Sequence, residues 1–149
     1  MSKILSILVR KSRALLRFKK PFMVIEAMIL LLISKTALIF LPFSWISKLM
    51  GTIETESSFT QTLGKHDLKL IRQSIVIADK NIPIETSCYP QALTGKIMLS
   101  YRRHRSTVYL GILKSQKGPL MGHAWLRHGD FIVTGKNRIK EYQVITTYS

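Results

Sequence analysis

The chain has 149 residues, enough for one hydrophobic core but not for two independent domains. Its 23 Lys and Arg against 8 Asp and Glu give a net charge of +15. This excess indicates an anionic partner (an acidic peptide, a membrane surface or nucleic acid) or a surface kept soluble by its charge. The single cysteine excludes an internal disulfide bond and the sequence has no Cys/His cluster for zinc, so we expect a reducing cytoplasm, no metal and no cofactor.

The first 20 residues predict an amphipathic helix with a basic face. They hold seven Lys and Arg and no acidic residue. Their apolar residues, such as Ile4, Leu8 and Leu15, recur at spacings that place them on one side of a helix.

A mostly apolar segment follows, in which Pro21 is predicted to start a second helix and Pro42 to break it. Glu26 and Lys35 interrupt this segment, and its longest run without charge or proline is 27–34. That run is far shorter than the roughly 20 residues that a membrane-spanning helix needs. We therefore expect helices packed within the protein, with a membrane-associated element as the alternative.

The middle of the chain is predicted to hold a linker and two helices. Residues 51–64, rich in Gly, Ser and Thr, close an N-terminal region at 1–64 and precede a core at 65–149. Apolar residues three and four apart predict a helix at 65–80, and another is predicted at 88–103.

Beyond residue 105 the pattern alternates and becomes rich in β-branched and aromatic residues, which indicates strands. Helices followed by an antiparallel meander predict an α+β fold. Four strands are predicted, at 107–113, 120–127, 131–134 and 142–147.

One cysteine and one histidine stand out as a possible nucleophile and base. Cys88 lies in the predicted first turn of a helix, where unpaired N–H groups favour a thiolate and can stabilise an oxyanion. His123 lies in the segment Gly122-His123-Ala124-Trp125-Leu126 and is the predicted base. Trp125 shares its strand face with His123, and Gln91 lies one helical turn after Cys88, so both are candidate substrate contacts. Because a single cysteine is more often inert and buried, the pair is a hypothesis.

The third member of such a site stays open between Asp130 and Thr134. If residues 128–129 form the hairpin turn, Thr134 lies opposite His123, whereas Asp130 lies roughly 13 Å away along the strand. Thr134 is better placed but chemically weaker, and Asp130 is most simply a turn residue paired with Arg127. A β-bulge would change this register. The remaining histidines are predicted to be ordinary surface residues: His66, His104 and His128.

At these residues the sequence resembles the leader peptidases of lasso-peptide biosynthesis, which are transglutaminase-like cysteine proteases. The likeness covers nearly the whole chain and is most specific around the cysteine and the histidine. The segments that carry it are Ser87-Cys88-Tyr89-Pro90-Gln91-Ala92-Leu93, Tyr109-Leu110-Gly111, 122–130, Val133-Thr134-Gly135 and, near the start, Glu26, Leu41-Pro42-Phe43 and a tryptophan before Gly51.

The resemblance implies a transglutaminase- or papain-like core, with Cys88 at a helix N-terminus packed on an antiparallel sheet that carries His123. Cys88 would attack the bond that joins leader and core in a ribosomally made precursor peptide. A separate cyclase would then close the freed core, and a small leader-recognition protein would hold the leader. The family is described with a Cys-His-Asp triad, whereas Thr134-Gly135 stands where some members carry the acid.

The competing interpretation is a non-catalytic membrane-surface or adaptor protein that uses the basic N-terminal helix. Nucleic-acid binding is not expected, because no helix-turn-helix, zinc-finger or RNA-binding signature is present in the sequence.

Overall fold

Helices form the first part of the chain and a sheet forms the last, as the α+β prediction requires. The structure is a computed structural model that describes residues 2–113 and 118–149, with side chains described from residue 20 onward. Within these ranges the elements are α1 (Ser2–Phe40), α2 (Phe43–Met50), α3 (Lys65–Asn81), α4 (Cys88–Tyr101), β1 (Thr107–Leu113), β2 (Met121–His128), β3 (Phe131–Thr134), a 3-10 helix (Ile139–Glu141) and β4 (Gln143–Tyr148).

The predicted break at Pro21 is wrong, because α1 runs without interruption through that residue. A proline inside a helix loses one hydrogen bond to the carbonyl four residues earlier and crowds it, yet the helix continues here. The break predicted near Pro42 is confirmed, since α1 ends at Phe40 and α2 begins at Phe43.

The core lies between α1, α3, α4 and one face of the sheet. Buried positions on α3 recur three and four residues apart and confirm the helix predicted from that spacing. The same spacing is found on the described part of α1, whose buried residues pack on α3 and α4. The core residues from these helices include Met23, Ala27, Leu31, Leu68, Ile71, Ile75, Ala78, Ala92, Leu93, Met98 and Leu99.

The sheet has the strand order β3-β2-β1-β4, which corrects the predicted meander. After β3 the chain crosses to the far edge, where β4 pairs antiparallel with β1. The edge of β1 offers seven residues for pairing, whereas β3 has only four. Tyr148, at the end of β4, is buried in the core, which anchors the strand in this position.

Residues 51–64, predicted as a linker, lie against the sheet. Ile53 forms an isolated antiparallel bridge with Tyr148, and the backbone N–H of Ser57 donates to Thr107 Oγ1 over 2.8 Å. The guanidinium of Arg127 donates to the Ser57 carbonyl over 2.9 Å and lies 3.9 Å from the centre of the Phe59 ring. The division into regions 1–64 and 65–149 stays a prediction.

The placement of His128 on the surface is wrong, because its side chain is buried beneath residues 51–64. Its Nδ1 contacts the carbonyl oxygen of Arg105 at 2.7 Å, and its Nε2 accepts from the N–H groups of Thr62 and Leu63. His104 is half-buried against Thr62, with 2.9 Å between His104 Nδ1 and Thr62 Oγ1, and only His66 of these three is exposed. A loop that folds back over the hairpin therefore buries a residue that its own polar neighbours suggest is exposed.

Candidate active site

Cys88 is the first residue of α4, as predicted, and its sulfur touches the strand that carries His123. Ser87 is the N-cap residue, although its hydroxyl makes no capping hydrogen bond. The backbone N–H of Ala124 donates to Cys88 Sγ over 3.4 Å. Because Ala124 directly follows His123, this hydrogen bond places the sulfur beside the backbone of the histidine.

The sulfur and the imidazole line one pocket of about 390 Å³. The pocket also receives Gln91, the candidate substrate contact one turn along α4. Among the described residues that line it, two carry a cationic side chain and none carries a carboxylate. The lining residues are Arg72, Ile75, Val76, Cys88, Gln91, His123, Val133, Thr134, Gly135, Lys136 and Asn137.

The imidazole of His123 is held by a main-chain carbonyl. His123 Nε2 lies 2.8 Å from the carbonyl oxygen of Gly135. Since a carbonyl oxygen only accepts hydrogen bonds, Nε2 carries the proton and the neutral ring keeps its lone pair on Nδ1. The histidine is therefore fixed as the tautomer that can act as a base through Nδ1.

Aromatic rings surround the imidazole on its strand face. The ring of Trp125 lies 5.8 Å from that of His123, and the ring of Tyr142 lies 4.9 Å from it. Trp125 also stacks on Tyr109, with ring centroids 5.4 Å apart. The predicted neighbourhood of His123 and Trp125 is thus confirmed, but Trp125 is only 4% exposed and lies behind the imidazole, outside the pocket lining.

The hairpin register differs from the prediction in the position of the turn and by a bulge. His128 pairs with Phe131 and Arg127 with Ile132, and after a shift Leu126 pairs with Thr134. The turn is therefore at 129–130, where Gly129 has a φ of +57°. A left-handed φ costs glycine little, and Gly129 occupies the first of the two turn positions, where one of the two favoured hairpin turns has glycine.

Among the described residues, neither candidate for the third member forms a hydrogen bond with His123. Thr134 lines the pocket but lies opposite Leu126, and its buried Oγ1 has no hydrogen-bond partner among the described residues. Asp130 is exposed in the turn, and the guanidinium of Arg127, its predicted partner, instead donates to the Gly129 carbonyl over 2.6 Å. The group that orients the imidazole is the Gly135 carbonyl, which the sequence interpretation missed.

Gly135 can present this carbonyl because of its backbone conformation. Its φ is +72°, which L side chains rarely adopt, and a Cβ there would lie 2.4 Å from the Ala124 carbonyl oxygen. The chain thus passes close to β2 directly after β3 ends, and only a glycine fits the approach. A glycine after a strand predicts such a turn, but no residue type reveals where a carbonyl points.

Arg72 of α3 fixes β3 at the edge of the pocket and was also missed. Its guanidinium lies 4.2 Å from the centre of the Phe131 ring and donates to the carbonyl oxygens of Ile132 and Val133. Burial lowers the pKa of Arg72 from its ordinary value. The helix and the strand that flank the pocket are therefore bound to each other through one cation.

No group of three or more His, Cys, Asp and Glu side chains that could hold a metal ion occurs in the part of the chain that the structure describes.

Comparison with known proteins identifies the domain that holds this pocket. A family model described as the transglutaminase-like superfamily matches residues 37–147, which include both Cys88 and His123. The chain belongs to the transglutaminase-like superfamily. This superfamily includes cysteine peptidases and transglutaminases. No curated protein and no solved structure matches the chain.

Proposed function

We propose that this protein is a cysteine endopeptidase that removes the leader from a ribosomally made lasso-peptide precursor before the core is cyclised. The observation that carries the proposal is the contact between the Cys88 sulfur and the strand of His123, whose imidazole is oriented by the Gly135 carbonyl. The family match supports the cysteine-dependent chemistry, and the resemblance of the cysteine and histidine segments supports the substrate class.

Acylation begins when Nδ1 of His123 takes the thiol proton of Cys88. The thiolate attacks the carbonyl carbon of the bond between leader and core, and the carbonyl oxygen becomes an oxyanion. Unpaired N–H groups in the first turn of α4 lie close to the sulfur and stabilise that charge; Pro90 has no N–H and cannot contribute. The intermediate collapses when the C–N bond breaks, and the imidazolium of His123 protonates the leaving amine.

Deacylation uses the same histidine. The leader is now bound to Cys88 as a thioester, and Nδ1 of His123 takes a proton from a water molecule that attacks the thioester carbonyl. The C–S bond breaks, the thiolate recovers its proton, and the leader departs as a carboxylate. The freed N-terminus of the core is the amine that a separate cyclase needs for its ring-forming step.

The partners proposed are the precursor peptide and a small protein that recognises the leader, with the cyclase as a further candidate. The net charge of +15 favours binding to acidic peptide segments or acidic protein surfaces. Near the sulfur, Lys136 and Arg72 contribute positive charge to the pocket lining, which suits a peptide with negative charge near its cleaved bond.

The test is mass spectrometry of a lasso precursor incubated with the purified chain and a leader-recognition protein. We expect two products whose masses sum to that of the precursor plus one water. Cys88→Ala should give no products, whereas Ser100→Ala, at an exposed position near the other end of α4, should cleave at the normal rate.

Cleavage by the Cys88→Ala variant would contradict the proposed nucleophile. A precursor that stays intact with the unmodified chain, although the leader-recognition protein binds it, would contradict the leader-peptidase role. A product that carries an added amine in place of water would indicate acyl transfer, the other chemistry of the superfamily.

A further inference from the structure

The side of α1 that faces away from the core is apolar and exposed. We call this side the outer face. Its seven large side chains are between 38% and 78% exposed. They are Phe22, Ile25, Ile29, Leu32, Ile33, Ile39 and Phe40. A helix on the surface of a soluble domain normally places charged and polar residues at these positions, so the outer face needs a partner that packing within the chain does not supply.

Charges on this part of α1 are kept off the outer face. Glu26 lies at its flank and is bound by both terminal nitrogens of Arg102, at 2.6 and 2.8 Å. This hydrogen bonding raises the pKa of Arg102, and burial of the pair limits its contact with water. Lys35 is half-buried on the other flank. Between residues 22 and 40 the one exposed polar residue is Thr36, which donates its hydroxyl to the carbonyl of Leu32 within the helix.

A groove extends the outer face towards α4. It has a volume of about 390 Å³ and is lined almost entirely by apolar atoms, from residues such as Phe22, Ile29 and Ile97. Tyr101, at its far edge, is 81% exposed. Shortly after the C-terminal end of α1, α2 exposes Trp45 as well. Tyrosine and tryptophan are the residues that favour the boundary between lipid and water.

The charge of the same helix indicates which partner covers the outer face. Residues 1–20 hold seven Lys and Arg and no acid, and they continue directly into the apolar part of α1. Basic residues joined to an exposed apolar and aromatic helix face are the combination that binds bilayers with anionic lipids. We propose that the outer face of α1 binds an anionic lipid bilayer and holds the protein on the membrane surface.

The opposite side of α1 determines that the helix lies in the plane of the bilayer and does not cross it. Although Glu26 and Lys35 interrupt it, the stretch of residues 20–40 has 21 residues and a mean hydropathy of 2.2, so it is long and apolar enough to span, which corrects the length argument made from 27–34. However, Met23, Ala27 and Leu31 are buried in the core, and Ser34 Oγ lies 3.2 Å from Thr94 Oγ1 of α4. A spanning α1 would bring the exposed lysines of α3, on which it packs, into the hydrocarbon. If only the side chains of the outer face enter the bilayer, these contacts within the protein stay intact.

The experiment is flotation of the purified full chain with lipid vesicles. We expect binding to phosphatidylcholine vesicles with about 30% phosphatidylglycerol, and at least roughly fivefold less binding to vesicles of phosphatidylcholine alone. Binding should also fall as NaCl is raised from about 50 to about 500 mM, because salt screens the basic residues. The double variant Ile25→Glu/Ile29→Glu should bind about tenfold or more weakly, since two charges replace inserted side chains.

Ile145→Glu is the matched control, because Ile145 on β4 is 58% exposed, close to the 56% of Ile25, and lies outside the outer face. It should bind vesicles like the unmodified chain. Circular dichroism should show all variants folded, and sodium carbonate at high pH should release the bound protein, as it does for surface proteins.

Equal binding of the double variant and the Ile145→Glu control would overturn the proposal, as would a failure of the unmodified chain to float with anionic vesicles. Resistance to carbonate extraction would overturn the in-plane arrangement in favour of a spanning helix. A lipid-free dimer that the double variant dissociates would assign the outer face to a second protein chain. None of these outcomes depends on the peptidase activity.

Discussion

α1 and α3 pack against each other, yet their exposed sides have opposite composition. Along α3 the exposed positions are Lys65, His66, Lys69, Gln73, Val76, Lys80 and Asn81, so all but one are polar. From residue 22 to residue 40 of α1 the exposed positions are the seven apolar residues of the outer face and Thr36. Burial explains why the inner sides of both helices are apolar. Contact with water explains the composition of the exposed side of α3 but not that of α1.

This difference separates the two proposed functions of the molecule. The pocket lies between α3, α4, β2 and β3, where the helices have the ordinary pattern of a globular domain. The outer face belongs to a helix that contributes inner residues to the same core but none to the pocket lining. Chemistry and membrane attachment are therefore expected to respond to different substitutions.

The largest effect is expected from a substitution in the pocket, which should change one of the two proposed functions and not the other. Cys88→Ala should lower the rate of leader removal by at least about 1,000-fold, because it deletes the nucleophile. It should leave vesicle flotation unchanged, because the outer face is untouched. Product formation by mass spectrometry and flotation of the same sample check both halves of the prediction. A variant that loses both properties would show that the two regions are coupled.

A pair of substitutions on α1 compares its two sides directly. Leu31 is 0% exposed on the inner side, so Leu31→Ala should lower the free energy of unfolding by about 2–5 kcal/mol. Ile29 is 53% exposed on the outer face, so Ile29→Ala should change it by less than about 0.5 kcal/mol. Urea unfolding of both variants without lipid measures the contrast. Similar losses at both positions would mean that the outer face is covered within the protein.

Gly135→Ala tests the carbonyl that orients His123. The new Cβ would lie 2.4 Å from the Ala124 oxygen, so the backbone must move and the carbonyl with it. We expect cleavage to slow by about 10- to 100-fold, since small misplacements of catalytic groups have effects of this size. Gly122→Ala is the control, because a Cβ there meets nothing within 4 Å. If cleavage slows equally in both variants, the carbonyl does not position the base.

The smallest effect is expected on the pH dependence of stability and concerns Lys96. This cation is buried on the core side of α4, whereas the outer face of α1 has no charge. Burial, with a smaller contribution from Arg105, lowers the pKa of Lys96 from 10.5 to about 8. Between these values the unfolded chain binds more protons than the folded one, so stability rises as the pH increases through this window. After allowance for solvent screening, the gain between pH 8 and pH 9.5 should be on the order of 1 kcal/mol.

Lys96→Met should remove this gain, whereas Lys80→Met, at an exposed position of α3, should retain it. Urea unfolding at the two pH values provides the measurement. A slope that persists in the Lys96→Met variant would assign it to another group.

Local patterns in the sequence were sufficient for most elements. The spacing of Leu68, Ile71, Ile75 and Ala78 predicted α3, and alternation predicted β1 with its observed bounds. Residue chemistry, with the family resemblance, singled out Cys88, and the structure places it at the first residue of α4.

Long-range contacts account for most of what the sequence did not predict. His128 is buried because residues 51–64 fold back over it, and the residues next to His128 in the sequence do not predict that contact. The register of β2 and β3 depends on a turn at 129–130 and on a bulge after Leu126, which together move Thr134 away from His123. Local sequence favours Pro21 at the start of a helix, because an interior proline loses a backbone hydrogen bond, yet α1 contains it.

The hydrogen bond from His123 to the Gly135 carbonyl has a consequence for how proteins with this arrangement are recognised. A sequence search that requires an aspartate or asparagine as the group orienting the histidine would miss this chain. Alanine scanning would identify the side chains of Cys88 and His123 but not the Gly135 carbonyl, which is the third group of the site. A peptide oxygen can therefore replace a carboxylate at this position without a change that the side chains would reveal. In the sequence, the feature that indicates this arrangement is a glycine that can adopt the required backbone angle.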